Sequence, residues 1–244
     1  MDGIKRLEIL GVPVDIVTKD EALSVFAELM EKDGCSLIAT PNSEIVLNAS
    51  RDPGLKSLFE RAELVIPDGI GLVYASRILK EPLKERVTGI DFLSDIFEYL
   101  QANGKSAYLL GGKPGIAELA ADNIKIKYPG LKIAGTRHGY FKAHEEKEIV
   151  DEINGSGAEF LCAAMGSPKQ EKFIFDNKSE FVSLRGAMGV GGSLDVWAGA
   201  LKRAPEFYRK HGLEWLYRLF QEPSRYKRMI KLPVFMLKVM VSKK

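Results

Sequence analysis

Seven short apolar runs, each followed by an amphipathic or polar stretch, leave this chain few folds to choose from. They read "LEILGVPVDIV" (7–17), "CSLIAT" (35–40), "ELVIP" (63–67), "SAYLLG" (106–111), "LKIAGT" (131–136), "AEFLCAAM" (158–165) and "FVSLRGAMGV" (181–190). Several are apolar almost throughout, the pattern of strands buried on both faces. Helical patterns lie between them. "TKDEALSVFAELMEKDG" opens with a capping box from Thr18 to Glu21 and closes on Gly34. "GIDFLSDIFEYLQANG" closes on Gly104, "KPGIAELAADNIKIKYPG" on Pro129-Gly130 and "AHEEKEIVDEINGSG" on Gly155. This alternation predicts an α/β fold with a Rossmann-like, mainly parallel sheet flanked by helices.

Charge divides the chain near residue 200. From Lys202 to Lys244 twelve Lys or Arg face three Glu, a net +9, so the rest of this +2 chain carries −7. The sequence therefore reads as an α/β core over 1–200 and a basic helical C-terminal appendage over 201–244. Basic tails meet nucleic acid, anionic lipid or phosphate-bearing substrates. The aromatics Trp215, Tyr217, Phe220 and Phe235 fit an apolar face better than a base-stacking platform, so nucleic acid is not expected as a partner. The run "LPVFMLKVMV" reads as membrane-facing, with a helix packed on the core as the bland alternative. An apolar tail could also bury itself against a second subunit, so a homo-oligomer stays open. No segment reaches about 18 uninterrupted apolar residues and the N-terminus lacks a long apolar stretch, so neither a spanning helix nor a signal peptide is expected. Cys35 and Cys162 sit in apolar runs, as buried thiols of a reducing compartment do.

In open α/β sheets ligands bind beyond the carboxyl ends of the strands. Five of the six loops there carry glycine, among them "DGIG" (68–71), "GGKPG" (111–115), "GSPKQE" (166–171) and "GGSLD" (191–195). Neither "GGKPG" nor "GVGGSLD" is a dinucleotide fingerprint, and the expected downstream acid is missing from both, so a nicotinamide-dependent oxidoreductase is only a remote alternative. Asp68 follows a buried run directly. Position alone allows it to be a general base or the N-cap of "GIGLVYASRILK". Thr40 and Asn42 carry the same ambiguity, as caps or as substrate hydrogen-bonders. The chain has no Asp-x-Asp and no paired histidine spacing, so no metal and no cofactor is expected. Phosphate charge would then fall to arginines, for which the tail offers Arg218, Arg225 and Arg228, with Pro223 interrupting their helix.

"ATPNSEIV", "VIPDGIG", "ERVTGIDF", "GYF", "GSPKQE", "GVGGSLDVWAG", "KRAPEFYRKHGLEWLYRL" and "EPSRYKRM" occur in that order. Together they resemble the TagA/WecG/CpsF glycosyltransferase family, from residue 7 to the C-terminus, and most of all its TagA branch. The resemblance implies transfer of N-acetylmannosamine from UDP-N-acetylmannosamine to N-acetylglucosamine on undecaprenyl diphosphate. That reaction builds the wall teichoic acid linkage unit, with a β-1,4 bond, inversion and no metal. Relatives using N-acetylmannosaminuronic acid or glucose keep the donor open. The resemblance further implies Asp68 as base on the acceptor hydroxyl, and Thr40, Asn42 and Gln170 in the sugar pocket. It puts Asp195, Gly191 and Gly192 at the UDP site with Tyr140 beside them, and Arg86 at a diphosphate or the acceptor. Arg218, Arg225 and Arg228 match arginines of an appendage that closes the site at the cytoplasmic face of the membrane, where the enzyme sits peripherally.

Overall fold

The structure, a computed structural model, describes residues 4–223, 226 and 230–242. The first apolar run is not one strand. It breaks at Leu10-Gly11, whose φ values of 52° and 80° make a two-residue left-handed turn. The halves pair antiparallel as β1 (Arg6–Ile9) and β2 (Val12–Asp15), with Leu7 opposite Val14. Buried Asp15 accepts from Arg6 Nε and from the Val65 N–H, both at 2.7 Å, and so ties the hairpin to the main sheet.

The other six runs form that sheet. They become β3 (Ser36–Ala39), β4 (Leu64–Val65), β5 (Ser106–Gly111), β6 (Lys132–Arg137), β7 (Phe160–Ala164) and β8 (Gly186–Gly189), all parallel in the order β4-β3-β8-β7-β5-β6. Inner strands β3, β7 and β8 are buried at every residue, whereas β6, on the edge, is buried at none. The chain builds β3 and β4 outward on one side, then crosses to build β5 and β6 outward on the other. β7 and β8 fill the gap, so the strand order reverses in the middle, where parallel sheets open a crevice. Of "FVSLRGAMGV" only the last part is strand.

Helices cover both faces and divide the core in two. One face takes α1 (Lys19–Met30), α5 (Gly89–Ala102), α6 (Ile116–Lys127) and the short α9 (Ser193–Trp197). α1 begins with the expected capping box between Thr18 and Glu21. The other face takes the hairpin, α2 (Ser43–Ala49), α3 (Pro53–Glu60), α4 (Ile70–Ile78), α7 (Glu146–Ser156) and α8 (Lys169–Asp176). In the sequence α2 shows only through its candidate caps Thr40 and Asn42, and α3 not at all: each is barely two turns long, too short for a clear apolar period.

The appendage is helical. α10 (Glu206–Lys210) and α11 (Glu214–Gln221) precede Pro223, and α12 (Lys231–Ser242) follows. α12 lies against α2 and α4, with Phe235 and Val239 fully buried and Lys231 Nζ 3.0 Å from Glu44. The expectation that the whole run faces a membrane is therefore corrected: half of it packs on the core.

Close approach between strands fixes one glycine. Gly111 ends β5 at φ 142°, and a Cβ there would lie 2.4 Å from the Ala164 carbonyl oxygen of β7. Gly111→Ala is expected to cost about 2–4 kcal/mol, read as a lowered denaturant midpoint at unchanged slope.

Candidate active site

Asp68 stands at the carboxyl edge, just past β4. Its own N–H donates to the Pro41 carbonyl at 3.1 Å, which binds the β4 loop to the β3 loop. The N-cap of α4 is Gly69, at φ 90°, and no side chain caps that helix. Asp68 is thus not the cap. Its half-buried carboxyl meets a backbone hydrogen bond from Gly89 and the charges of Arg218, Glu214 and Arg86. Burial, seconded by Glu214, raises its pKa from 3.8 to about 6 against the pull of Arg218, Gly89 and Arg86. A carboxylate with that pKa is mostly ionised at neutral pH yet basic enough to take a proton.

Thr40 and Asn42 flank this group. Asn42 caps α2, accepting from the N–H groups of Glu44 and Ile45 at 3.0 and 3.1 Å, so its carbonyl oxygen is used for folding. Thr40 donates to the Gly189 carbonyl at 3.3 Å and lies against Gly89, where an added Cβ would sit 3.4 Å from its hydroxyl.

Two ion pairs that the sequence did not disclose fasten the appendage here. Arg86 pairs with Glu214 at 3.0 Å, and Arg203 pairs with Asp91, which also accepts from Thr88 at 2.5 Å. Gly212 lies against Ile70, the first residue of α4. These contacts bring Arg218 close enough to act on the Asp68 charge. Arg225 and Arg228 lie outside the described residues. Pairs between positions more than 100 apart leave no local trace in a sequence.

A cleft of about 690 Å³ opens farther along the same edge, past β5 and β7. Asp195 and Tyr140 line it, Tyr140 from an exposed rim position. So do Lys113, Lys142 and Lys169, which the sequence marks by no motif beyond the glycine loops that hold two of them. Lys169 Nζ is held 4.0 Å above the Phe141 ring and 3.3 Å from the Gly139 carbonyl. Gly191, at φ 49°, leads through Gly192 into the helix that carries Asp195, and a Cβ on Gly191 would meet no atom. Gln170 is buried, its amide bonded to protein groups on both sides. The expected residues therefore gather in two neighbourhoods of one edge, Asp68 with Thr40, Asn42, Arg86 and Arg218, and Tyr140 with Asp195. Among the described residues no three His, Cys, Asp or Glu side chains group as metal ligands would.

The family model for "Glycosyl transferase WecG/TagA/CpsF family" matches residues 7–244. A Staphylococcus aureus protein is 33% identical over 241 residues, 98% of this chain and 94% of that one. A Bacillus spizizenii protein is 32% identical over 211 residues, 86% of this chain and 81% of that one. Both bear the name N-acetylglucosaminyldiphosphoundecaprenol N-acetyl-beta-D-mannosaminyltransferase.

Proposed function

This chain belongs to the WecG/TagA/CpsF glycosyltransferase family, and we propose that it moves N-acetylmannosamine from its UDP derivative to N-acetylglucosamine on undecaprenyl diphosphate. Asp68 takes the proton of the acceptor hydroxyl while that oxygen attacks the anomeric carbon. The bond from that carbon to the diphosphate oxygen breaks, its electron pair leaves with UDP, and a single displacement inverts the centre. The observation that carries this reading is the Asp68 environment, which lifts the carboxyl to about 6 at the sheet edge where substrates bind.

Arg218 and Arg86, beside Asp68, are suited to offset charge on the departing diphosphate without a metal. The cleft with Lys113, Lys142 and Lys169 takes the nucleotide. The acceptor's lipid stays in the bilayer, so the enzyme works at the inner membrane face. Among the described residues no helix is long and apolar enough to cross a membrane. α12 offers instead an exposed row of Val234, Leu237 and Val241, with Ile230 just ahead of it, beside a tail of net +9. In this scheme residues 1–200 form the transferase core and 201–244 the part that closes the site.

The test is transfer to the lipid-linked acceptor from UDP-N-acetylmannosamine, UDP-N-acetylmannosaminuronic acid and UDP-glucose, each with and without EDTA. Transfer of N-acetylmannosamine that EDTA leaves unchanged is expected. A preference for another donor overturns the sugar assignment, and loss of activity in EDTA overturns the metal-free step.

A further inference from the structure

The loops after β7 and β8 are joined through one side chain. Gln170, near the start of α8, accepts with Oε1 from the N–H of Gly166 and of Gly191, 3.1 Å each. Those two donors fix which way the amide points, because the reversed amide would set NH2 against two N–H groups. Its Nε2 donates to Glu171 Oε1 at 2.9 Å. Gln170 and Glu171 are 4% and 3% exposed, so these two residues are shielded from water although Gly166 itself is exposed. Glycine at 189 makes room for it, since a Cβ there would fall 2.5 Å from Gln170 Nε2. Each tied loop leads to the cleft: Met165 stands beside Gly166, and the loop from Gly191 runs on to Asp195.

We propose that Gln170 and Glu171 are positioning residues that fix the two glycine loops under the nucleotide cleft, Glu171 acting through Gln170. This rests on the reading of the cleft as the nucleotide site. It gives Gln170 a different task from touching the donor sugar, for its amide is turned to the backbone of both loops. Glu171, kept out of water and raised in pKa by that burial, holds the amide from the far side. Glycine loops are intrinsically loose. Without a shared acceptor the two would move independently, and Asp195 would lose its fixed place relative to Met165.

The test uses the full chain with UDP as probe. Gln170→Glu sets two buried carboxylates face to face, whereas the double variant Gln170→Glu with Glu171→Gln restores one donor and one acceptor with their order reversed. Gln170→Glu is expected to weaken UDP binding by about tenfold or more, the scale of a lost buried hydrogen bond to a charged partner. Repulsion between the two carboxylates should push the side chain at 170 off the two N–H groups it would otherwise still accept from, and so speed amide hydrogen exchange in the segments holding Gly166 and Gly191 together. The double variant should return both measurements to within about threefold of the unsubstituted chain. Gln170→Met, which keeps the length and drops the amide, covers failure of the first variant to fold and should loosen both loops. Unchanged exchange at the two loops in Gln170→Met, or a double variant as impaired as Gln170→Glu, overturns the proposal. Failure of the unsubstituted chain to bind UDP overturns the nucleotide reading instead, and exchange at the two loops still decides the positioning role.

Discussion

Asp68→Asn is expected to lower kcat by about 10²- to 10⁴-fold, the usual contribution of a general base. UDP affinity should stay within about threefold, because Asp68 does not line the nucleotide cleft. The native kcat/KM profile should fall on the acid side through a pKa near 6, the value to which burial lifts this carboxyl. The same substitution should stabilise the protein. The folded pKa lies above the ordinary 3.8, so between about pH 4 and 6 the folded chain holds a proton that the unfolded chain has released. Stability then drops as pH rises through that window, and above it the buried charge costs about 1–3 kcal/mol, less whatever residual water screens. Asparagine keeps the Gly89 hydrogen bond and removes the charge. Its Tm should exceed the native value by several degrees at neutral pH, with the gap closing as pH falls from 6 towards 4. Turnover near the native level, or an acid limb unmoved by the substitution, would take the base role away from Asp68.

The parts of the fold and of the site that the sequence discloses are those set by neighbours in the chain. Thr18 and Glu21 are three apart and formed their capping box as expected. The inner strands β3, β7 and β8 are legible because burial on both faces leaves no polar alternation to confuse them. The hairpin was missed because its halves are apolar enough to read as one run, and only the left-handed pair Leu10-Gly11 parts them. Asp68 illustrates a tie that position cannot break: base and cap are adjacent offices, and the structure gives the cap to Gly69. Asn42 went the other way and is a cap. What stayed hidden was long-range. The Arg86–Glu214 and Arg203–Asp91 pairs and the Gln170 tie to Gly191 join residues whose meeting depends on the finished fold.

α12 separates two roles that the sequence left superposed, and paired substitutions should part them by experiment. Phe235 is fully buried between α12 and the helices it covers, whereas Leu237, two residues on, is 60% exposed. Phe235→Ala should cost about 3–5 kcal/mol from lost burial and the cavity left behind, a Tm lower by about 6–20 °C for a domain of this size. Leu237→Glu should leave Tm within about 2 °C, since an exposed position loses little on substitution. Its effect should appear at a bilayer. Removing one inserted leucine forfeits about 1.5–3 kcal/mol, and a new negative charge near anionic lipid costs about 1 kcal/mol more. Binding to vesicles of anionic phospholipid should therefore weaken at least tenfold in Leu237→Glu, with UDP affinity unchanged. Deleting 201–244 cannot make this distinction, because it strips Phe235 and Val239 from the core together with the exposed row. Vesicle binding that survives Leu237→Glu would free the exposed face of α12 from any membrane role. Loss of it with an intact Tm would mean that one short helix serves the core with one side and the lipid surface with the other, which is why its apolar residues run all the way round.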